Sequence, residues 1–411
     1  MTVRNIASSI YYKWLKRPLH YFNLSWYYII LPIRVKRIRN KEKIKVLFVV
    51  SEVASWKTEL LYLAMLKHQR FEPILSISTS YVPSGAKRKL EDYLIKKGYK
   101  YIDLDNIRNS IKGINPDLIW YYKPYPECYS KGHFFDKNLR YIFCGTNYCF
   151  SIAKNSYHTE HEYFDFCWQY YVEHQEIKDY RIEMLGRRAK NTIVSGVPMQ
   201  DILLLPKNSF PDPWKDKTGK KRIIYAPHHS IQGTNGSGVE FATFLDFGEA
   251  ILNFAKKYSD KITIAFKPHP NLYMKLLTIW GEDKTKAYYD EWAKLPNTQI
   301  ETGEYVGLFK YSDAIIHDSA SFIVEYLYMD NPSMYLVAAT NNISSMYSFI
   351  QEGFQCYEHG SSVDDIEQFI NNAIEGKDNK KEIRGQYIEK NLLPPGGKTA
   401  CENIIKSILG N

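Results

Sequence analysis

A chain of 411 residues, 45% hydrophobic and 15% aromatic, exceeds what one hydrophobic core usually supports, so two domains of roughly 150 to 200 residues are expected. The formal net charge is +9, yet residues 1–45 hold eleven Lys and Arg against Glu42 alone, which leaves the rest of the chain near neutral. A nucleic-acid binder spreads basic residues over a domain surface; confinement to one arm argues against nucleic acid as a partner. The six cysteines, at 128, 144, 149, 167, 356 and 401, show neither a Cys-x-x-Cys pair nor zinc-ligand spacing, which predicts a reduced cytoplasmic protein.

Residues 5–39 interleave aromatics such as Trp14, Trp26, Tyr27 and Tyr28 with basic residues and two prolines. No apolar run reaches the ~18 to 20 residues needed to span a bilayer, and the basic interruptions without a small-residue cleavage site speak against a signal peptide. Aromatic rings favour the headgroup level and a polybasic stretch at 34–45 favours anionic lipid, so residues 1–43 are expected to associate with the cytoplasmic face of a membrane. The competing expectation is an arm packed on its own protein.

From residue 44 the pattern is α/β. Strands are expected at 46–50, 73–79, 118–122, 141–144, 164–168 and 192–194, and helices at 56–68, 87–97 and 176–185. Such alternation predicts a mostly parallel, doubly wound sheet over 44–205. Residues 206–221, rich in Pro and Lys and without periodicity, read as a linker. A second Rossmann-like domain is expected over 222–375, with a Gly-rich loop at 233–238 that would close over a ligand or serve as a plain connection. Helices at 381–392 and 398–409 fall in a final segment, 376–411. Gly397-Lys398-Thr399 lacks the first Gly of a phosphate-binding loop, since position 392 is Leu, and reads as a turn before the last helix. Asp103 and Asp105 have the spacing of a metal-binding Asp-x-Asp pair but lie near a chain turn, where solvated carboxylates are the expectation.

Three strand ends carry the chemistry. Residues 222–230 end in Tyr225-Ala226-Pro227-His228-His229-Ser230, and residues 262–270 end in Lys267-Pro268-His269-Pro270. Residues 313–336 read as strand, turn, helix and strand around His317-Asp318-Ser319-Ala320-Ser321, with Glu325 one turn further on. Each strand delivers His, Lys or hydroxyl groups to the crevice where α/β sheets bind ligands. Backbone N–H groups at the start of a helix after Ser319 and Ser321 would suit a phosphate. For Asp318 or Ser319 a simple helix cap is the alternative, for Glu325 an exposed helix residue, and for each His a hydrogen-bonded structural role.

Tyr225-Ala226-Pro227, Lys267-Pro268-His269-Pro270 and the His317–Ser321 turn followed by Glu325, in that order and spacing, resemble the CDP-glycerol glycerophosphotransferase family, makers of teichoic-acid-like polyol-phosphate polymers. The resemblance covers about residues 220–340. It implies two domains facing a cleft in the arrangement called GT-B, an acceptor domain first and a nucleotide-donor domain second, with C-terminal helices packing back across the hinge. It also implies a CDP-linked polyol donor, a lipid-linked glycan acceptor, a peripheral membrane location, and no cofactor or metal. His228, His229 and His269 are then the catalytic candidates, and Lys267, His317, Asp318, Ser319, Ala320, Ser321, Glu325, Gly145 and Thr146 the substrate-binding ones. The family's Trp-His-Gly-Thr sequence is represented by Phe143-Cys144-Gly145-Thr146, with Cys in place of the expected base, so the imidazole would come from His228, His229 or, after the Gly145-Thr146 turn, His158 or His161. Two other readings share these motifs: a nucleotide-sugar glycosyltransferase of the same architecture, and a catalytically silent, membrane-attached nucleotide-binding protein.

Overall fold

The computed structural model describes residues 17–53, 55–79, 85–154, 161–231, 241–320, 322–338 and 343–410. His158, Ser321 and the Gly-rich loop at 233–238 therefore lie outside the described residues. The chain forms two compact units: residues 1–151, 155–201 and 394–411 make the first, and residues 152–154 and 202–393 the second.

The first unit holds seven strands: β1 (Ile44–Val50), β2 (Phe71–Ile77), β3 (Tyr101–Asp103), β4 (Leu118–Tyr121), β5 (Ile142–Thr146), β6 (Cys167–Val172) and β7 (Thr192–Val194). They pair in the order β3-β2-β1-β4-β5-β6-β7, every pair parallel. Strands covered on both faces must be apolar throughout, and Val46, Leu47, Phe48, Val49 and Val50 are all buried. The strand expected at 164–168 is instead a short helix, Glu162–Phe166, that runs straight into β6. His161 caps it by accepting the Tyr163 N–H at 3.1 Å, and an aromatic run this short has no periodicity to separate helix from strand. That bond gives His161 a structural role.

The arm forms a 23-residue helix, Arg17–Arg39, with Pro32 inside it. Leu24, Tyr27, Leu31, Val35 and Ile38, spaced three and four apart, are buried against the first unit. The Tyr27 hydroxyl accepts the Phe143 N–H, Tyr28 donates to the Asp165 carbonyl, and Arg34 donates to the Leu139 carbonyl. One face of the arm is thus packed on its own protein. At the other end of the chain, the helix Ala400–Leu409 belongs to this unit, with Asp201 accepting the N–H groups of Ala400 and Cys401 and a Thr399–Glu402 capping box closing its first turn. The Asp103/Asp105 turn is not merely solvated. The Asp105 carboxylate accepts from the Thr79 N–H and hydroxyl and from the Ser130 hydroxyl, tying three loops together.

The second unit holds β8 (Lys221–Ala226), β9 (Ile262–Phe266), β10 (Thr298–Ile300), β11 (Ala314–His317), β12 (Ser333–Leu336) and β13 (Glu358–Gly360), ordered β10-β9-β8-β11-β12-β13 and again all parallel. Alternate residues feed two cores: Ile223, Tyr225, Ile264 and Ile316 on one face, Ile224, Ala226, Ala265 and Ile315 on the other. The segment read as a linker is bound to this unit. Trp214 is 1% exposed in the second of those cores and its indole N–H reaches the Leu308 carbonyl, while Asp212 pairs with Arg222. A single large aromatic in an aperiodic stretch supplies the anchor. Two doubly wound, Rossmann-like α/β domains are thus the observed fold class.

Candidate functional site

In the six-stranded sheet the chain builds β8, β9 and β10 toward one edge, then returns beside β8 to build β11, β12 and β13 toward the other. The reversal opens a crevice at the carboxyl ends of β8 and β11, where ligands bind in sheets of this kind. Pairing of Tyr225 with Phe266 and of Ala226 with His317 sets the three predicted strand ends side by side. His228, His229, Lys267, His269, Asp318 and Ser319 therefore follow directly from neighbouring strands. The His269 N–H bonds the Pro227 carbonyl at 3.0 Å, locking one loop to the other.

The three histidines form one cluster. Ring centres lie 4.3 Å apart for His228 and His229, 4.8 Å for His228 and His269, and 4.0 Å, stacked, for His229 and His269. Each side chain is lowered from the ordinary imidazole pKa, chiefly by burial and then by neighbouring positive groups: His228 to about 3 and His269 to about 4, with His229 shifted the same way. All three are neutral near pH 7. Nδ1 of His228 accepts the Ser230 N–H at 3.2 Å, and Nδ1 of His269 accepts the Asn271 N–H at 3.1 Å. A neutral ring that accepts at Nδ1 carries its proton at Nε2, so these two present N–H donors. His229 differs: its Nδ1 is buried without a hydrogen-bond partner among the described residues, so no backbone N–H fixes which of its ring nitrogens carries the proton.

Nitrogens of the three rings lie within 4.8 Å of one another, the one group among the described residues with the makings of a metal site. Zinc holds imidazole nitrogens at about 2.0 to 2.1 Å in a tetrahedron; the stacked His229 and His269 rings would have to fan apart to meet it. As it stands, the geometry suits proton transfer and anion binding better.

Lys267 is 8% exposed and its ammonium donates to the Gly303 carbonyl at 2.9 Å, beside the Tyr305 ring. Asp318 has no exposed surface. Its carboxylate accepts the His228 N–H at 2.6 Å, the Thr243 N–H at 2.7 Å and the Thr243 hydroxyl at 2.9 Å. Burial pushes that carboxyl up to about 6, against the pull of those bonds. Its place is beneath the loops, holding His228 in position. His317 is likewise buried, packed between Tyr335 and Tyr357, with Nδ1 donating to the Ser319 carbonyl; burial lowers it to about 3. It shapes the turn from below. Ser319, Ala320 and Glu325 are also largely buried, at 7%, 9% and 4%.

The helix after this turn spans only Phe322–Glu325 before passing into a 3-10 turn, Leu327–Met329. One turn sums few peptide dipoles, so the helix-terminus contribution expected from the sequence is small, and the fixed positive charge near the strand ends comes from Lys267. Gly145 and Thr146 end β5 of the other unit. A Cβ on Gly145 would meet the Tyr163 ring at 3.0 Å, and Thr146 is buried with no partner for its hydroxyl among the described residues. Cys144 beside them is wholly buried and burial raises its thiol well above the ordinary range; it does not replace an imidazole base. Sequence reasoning missed Thr243, Ser230 and Gly303. Thr243 stands at the start of the helix Phe244–Lys257 and looks like a routine cap, but its hydroxyl turns to Asp318.

No protein-family model matches the chain, and no curated protein sequence matches it. Among solved structures the chain is similar to the wall teichoic acid polymerase TagF, at 13% identity over 95% of this chain and 98% of that one, with a TM-score of 0.58. It is equally similar to UDP-GlcNAc 2-epimerase from Neisseria meningitidis bound to UDP-GlcNAc, at 16% identity over 90% and 100%, TM-score 0.58. The UDP-GlcNAc 2-epimerase of Methanocaldococcus jannaschii, in complex with UDP-GlcNAc and UDP, aligns at 13% identity over 90% and 100%, TM-score 0.57. At these identities the likeness establishes a shared two-domain fold.

Proposed function

We propose that the protein is a transferase that moves glycerol phosphate or ribitol phosphate from a CDP-linked donor to a hydroxyl of a lipid-linked glycan, working at a membrane surface. The observation that carries this reading is the meeting of His228, His229 and His269 with Lys267 at the switch point of the six-stranded sheet. In the reaction the acceptor oxygen bonds to the phosphorus that bears the polyol, the bond from that phosphorus to the bridging oxygen breaks, and CMP leaves with the electron pair. His229 takes the acceptor proton on its free ring nitrogen. Nε2–H of His228 and of His269 donate to diphosphate oxygens, and Lys267 offsets the charge gathering on the leaving phosphate. The likeness to TagF, whose structure was solved with CDPG, supports the donor class. Gly145 and Thr146 remain proposed acceptor-side residues.

Epimerases that bind UDP-GlcNAc share the fold at the same TM-score, which favours a nucleotide-sugar transferase as the second reading. The nucleotide product separates the two: CMP from a CDP-polyol supports the first, a nucleoside diphosphate from a nucleotide sugar the second. Replacement of His229 by Ala should lower turnover by at least about 10²-fold under the first reading; unchanged turnover would remove the proposed base, whereas nucleotide binding by the parent without turnover of any donor would favour a silent binding protein.

A further inference from the structure

A helix lying on a globular surface normally presents a polar outer face. The outer face of Arg17–Arg39 does the opposite. Phe22, Trp26, Ile29 and Ile33 recur at four, three and four residues and are 66%, 58%, 65% and 71% exposed, with Leu19 at 58% one turn earlier. Single exposed apolar residues are ordinary; a continuous row over four turns marks a contact surface. The inner row already supplies what the fold needs, so the outer one has no role in packing this unit.

The next positions along that row are Lys36 and Arg37, both exposed. Arg37 opens onto a cavity of about 160 Å³ that it lines with Arg34, Lys41, Asp117 and Arg140. Lys41 meets the Asp117 carboxylate at 2.5 Å, and the other oxygen of that carboxylate accepts the Lys45 N–H, so the one acidic group there is already matched. Three guanidinium groups remain around the cavity. Arg34 spends one of its N–H groups on the Leu139 carbonyl and keeps the others for the cavity, whereas Arg39 is turned away onto the carbonyls of Ser407 and Ile408. No helix of the described residues is long and apolar enough to cross a membrane.

We propose that the outer face of this helix seats on an anionic phospholipid bilayer, with Phe22, Trp26, Ile29 and Ile33 in the interfacial layer and a lipid phosphate in the cavity of Arg34, Arg37 and Arg140. The match of an apolar row running into unopposed cations is the chemistry of an interfacial helix on anionic lipid. This deepens the membrane part of the proposed function while resting on none of the donor chemistry. Vesicle binding and CMP release are separate readouts, so either claim can fail alone.

The test is sedimentation of the full chain with vesicles of phosphatidylcholine alone or with about one third phosphatidylglycerol. Binding to the anionic vesicles should exceed binding to neutral ones by at least tenfold and fall with salt. Trp26→Ser with Ile29→Ser should abolish it, and Arg37→Ala and Arg140→Ala should each weaken it by about fivefold, with unchanged thermal unfolding because all four side chains are exposed. Equal affinity for neutral vesicles, or Arg variants that bind like the parent, would overturn the phosphate site. Failure to bind any vesicle, with self-association in sedimentation velocity that Trp26→Ser removes, would assign the face to a second copy of the chain instead.

Discussion

Asp318 is the staple of the site, and its removal has a size that the structure fixes. Its carboxylate, ionised at neutral pH, accepts three hydrogen bonds of 2.6, 2.7 and 2.9 Å with no exposed surface of its own. Asp318→Ala leaves the His228 and Thr243 N–H groups and one hydroxyl without an acceptor. Each unmatched buried donor costs about 1 to 3 kcal/mol. Because the three donors share one partner, and because burial penalises the ionised carboxylate that the substitution removes, the net loss is about 1 to 3 kcal/mol rather than the simple total. Asp318→Asn keeps one acceptor oxygen but sets an NH₂ against a donor, and should fall between. Urea unfolding of the full chain, followed by tryptophan emission with Trp56, Trp120 and Trp168 of the first unit replaced by Phe so that Trp214, Trp280 and Trp292 dominate the signal, measures the loss. A shift of the second-unit transition by less than about 1 kcal/mol for Asp318→Ala would refute the reasoning.

His229→Ala should lower kcat by about 10²- to 10⁴-fold with little change in donor KM, since the base acts in the transition state; His269→Ala should cost about 10²-fold and also weaken donor binding. The pH profile follows from the sign of the shift. A base whose pKa is lowered by burial stays unprotonated on the acid side of 6.5, so kcat/KM should hold steady through pH 6.5 and fall only below it; an acid limb centred on the ordinary value would place the base elsewhere. His20, hydrogen-bonded to Asp165 and Glu162, is raised to about 9. A folded-state pKa above the unfolded value contributes stability that is complete below about 6.5 and lost as pH rises through 9, here on the order of 2 kcal/mol after screening. Hydrogen-exchange protection across residues 17–39, corrected for the base-catalysed intrinsic rate, should fall between pH 7 and pH 10, and His20→Ala should remove that fall.

The two-domain α/β class was legible because the central strands are written as continuous apolar runs: Val46–Val50 and Ile262–Phe266 cannot be much else. The edges were not. β3, β10 and β13 are three residues each and stand at sheet margins, where one neighbour is missing and no apolar run is required. The grouping of His228, His229 and His269 followed from reading three strand ends as neighbours, which parallel pairing then enforces. Which ring donates and which accepts was invisible, because it depends on backbone N–H groups of Ser230 and Asn271 that carry no sequence signal. The burial of Asp318 and His317 was hidden for a similar reason. A polar residue after a strand looks the same in sequence whether it faces a ligand or braces the loop behind it. The arm was read for its aromatics and charges, while its helix, with one apolar row facing inward and another outward, blurred the periodicity that would have exposed it.

The central claim is the transfer of a polyol phosphate with release of CMP. Purified full-length protein should release CMP from CDP-glycerol or CDP-ribitol only when a detergent-solubilised membrane extract supplies an acceptor, and His229→Ala should slow that release by about 10²-fold or more. No CMP from either donor, with turnover of a nucleotide sugar under the same conditions, would contradict the claim and leave the histidine cluster as the site of a glycosyl transfer.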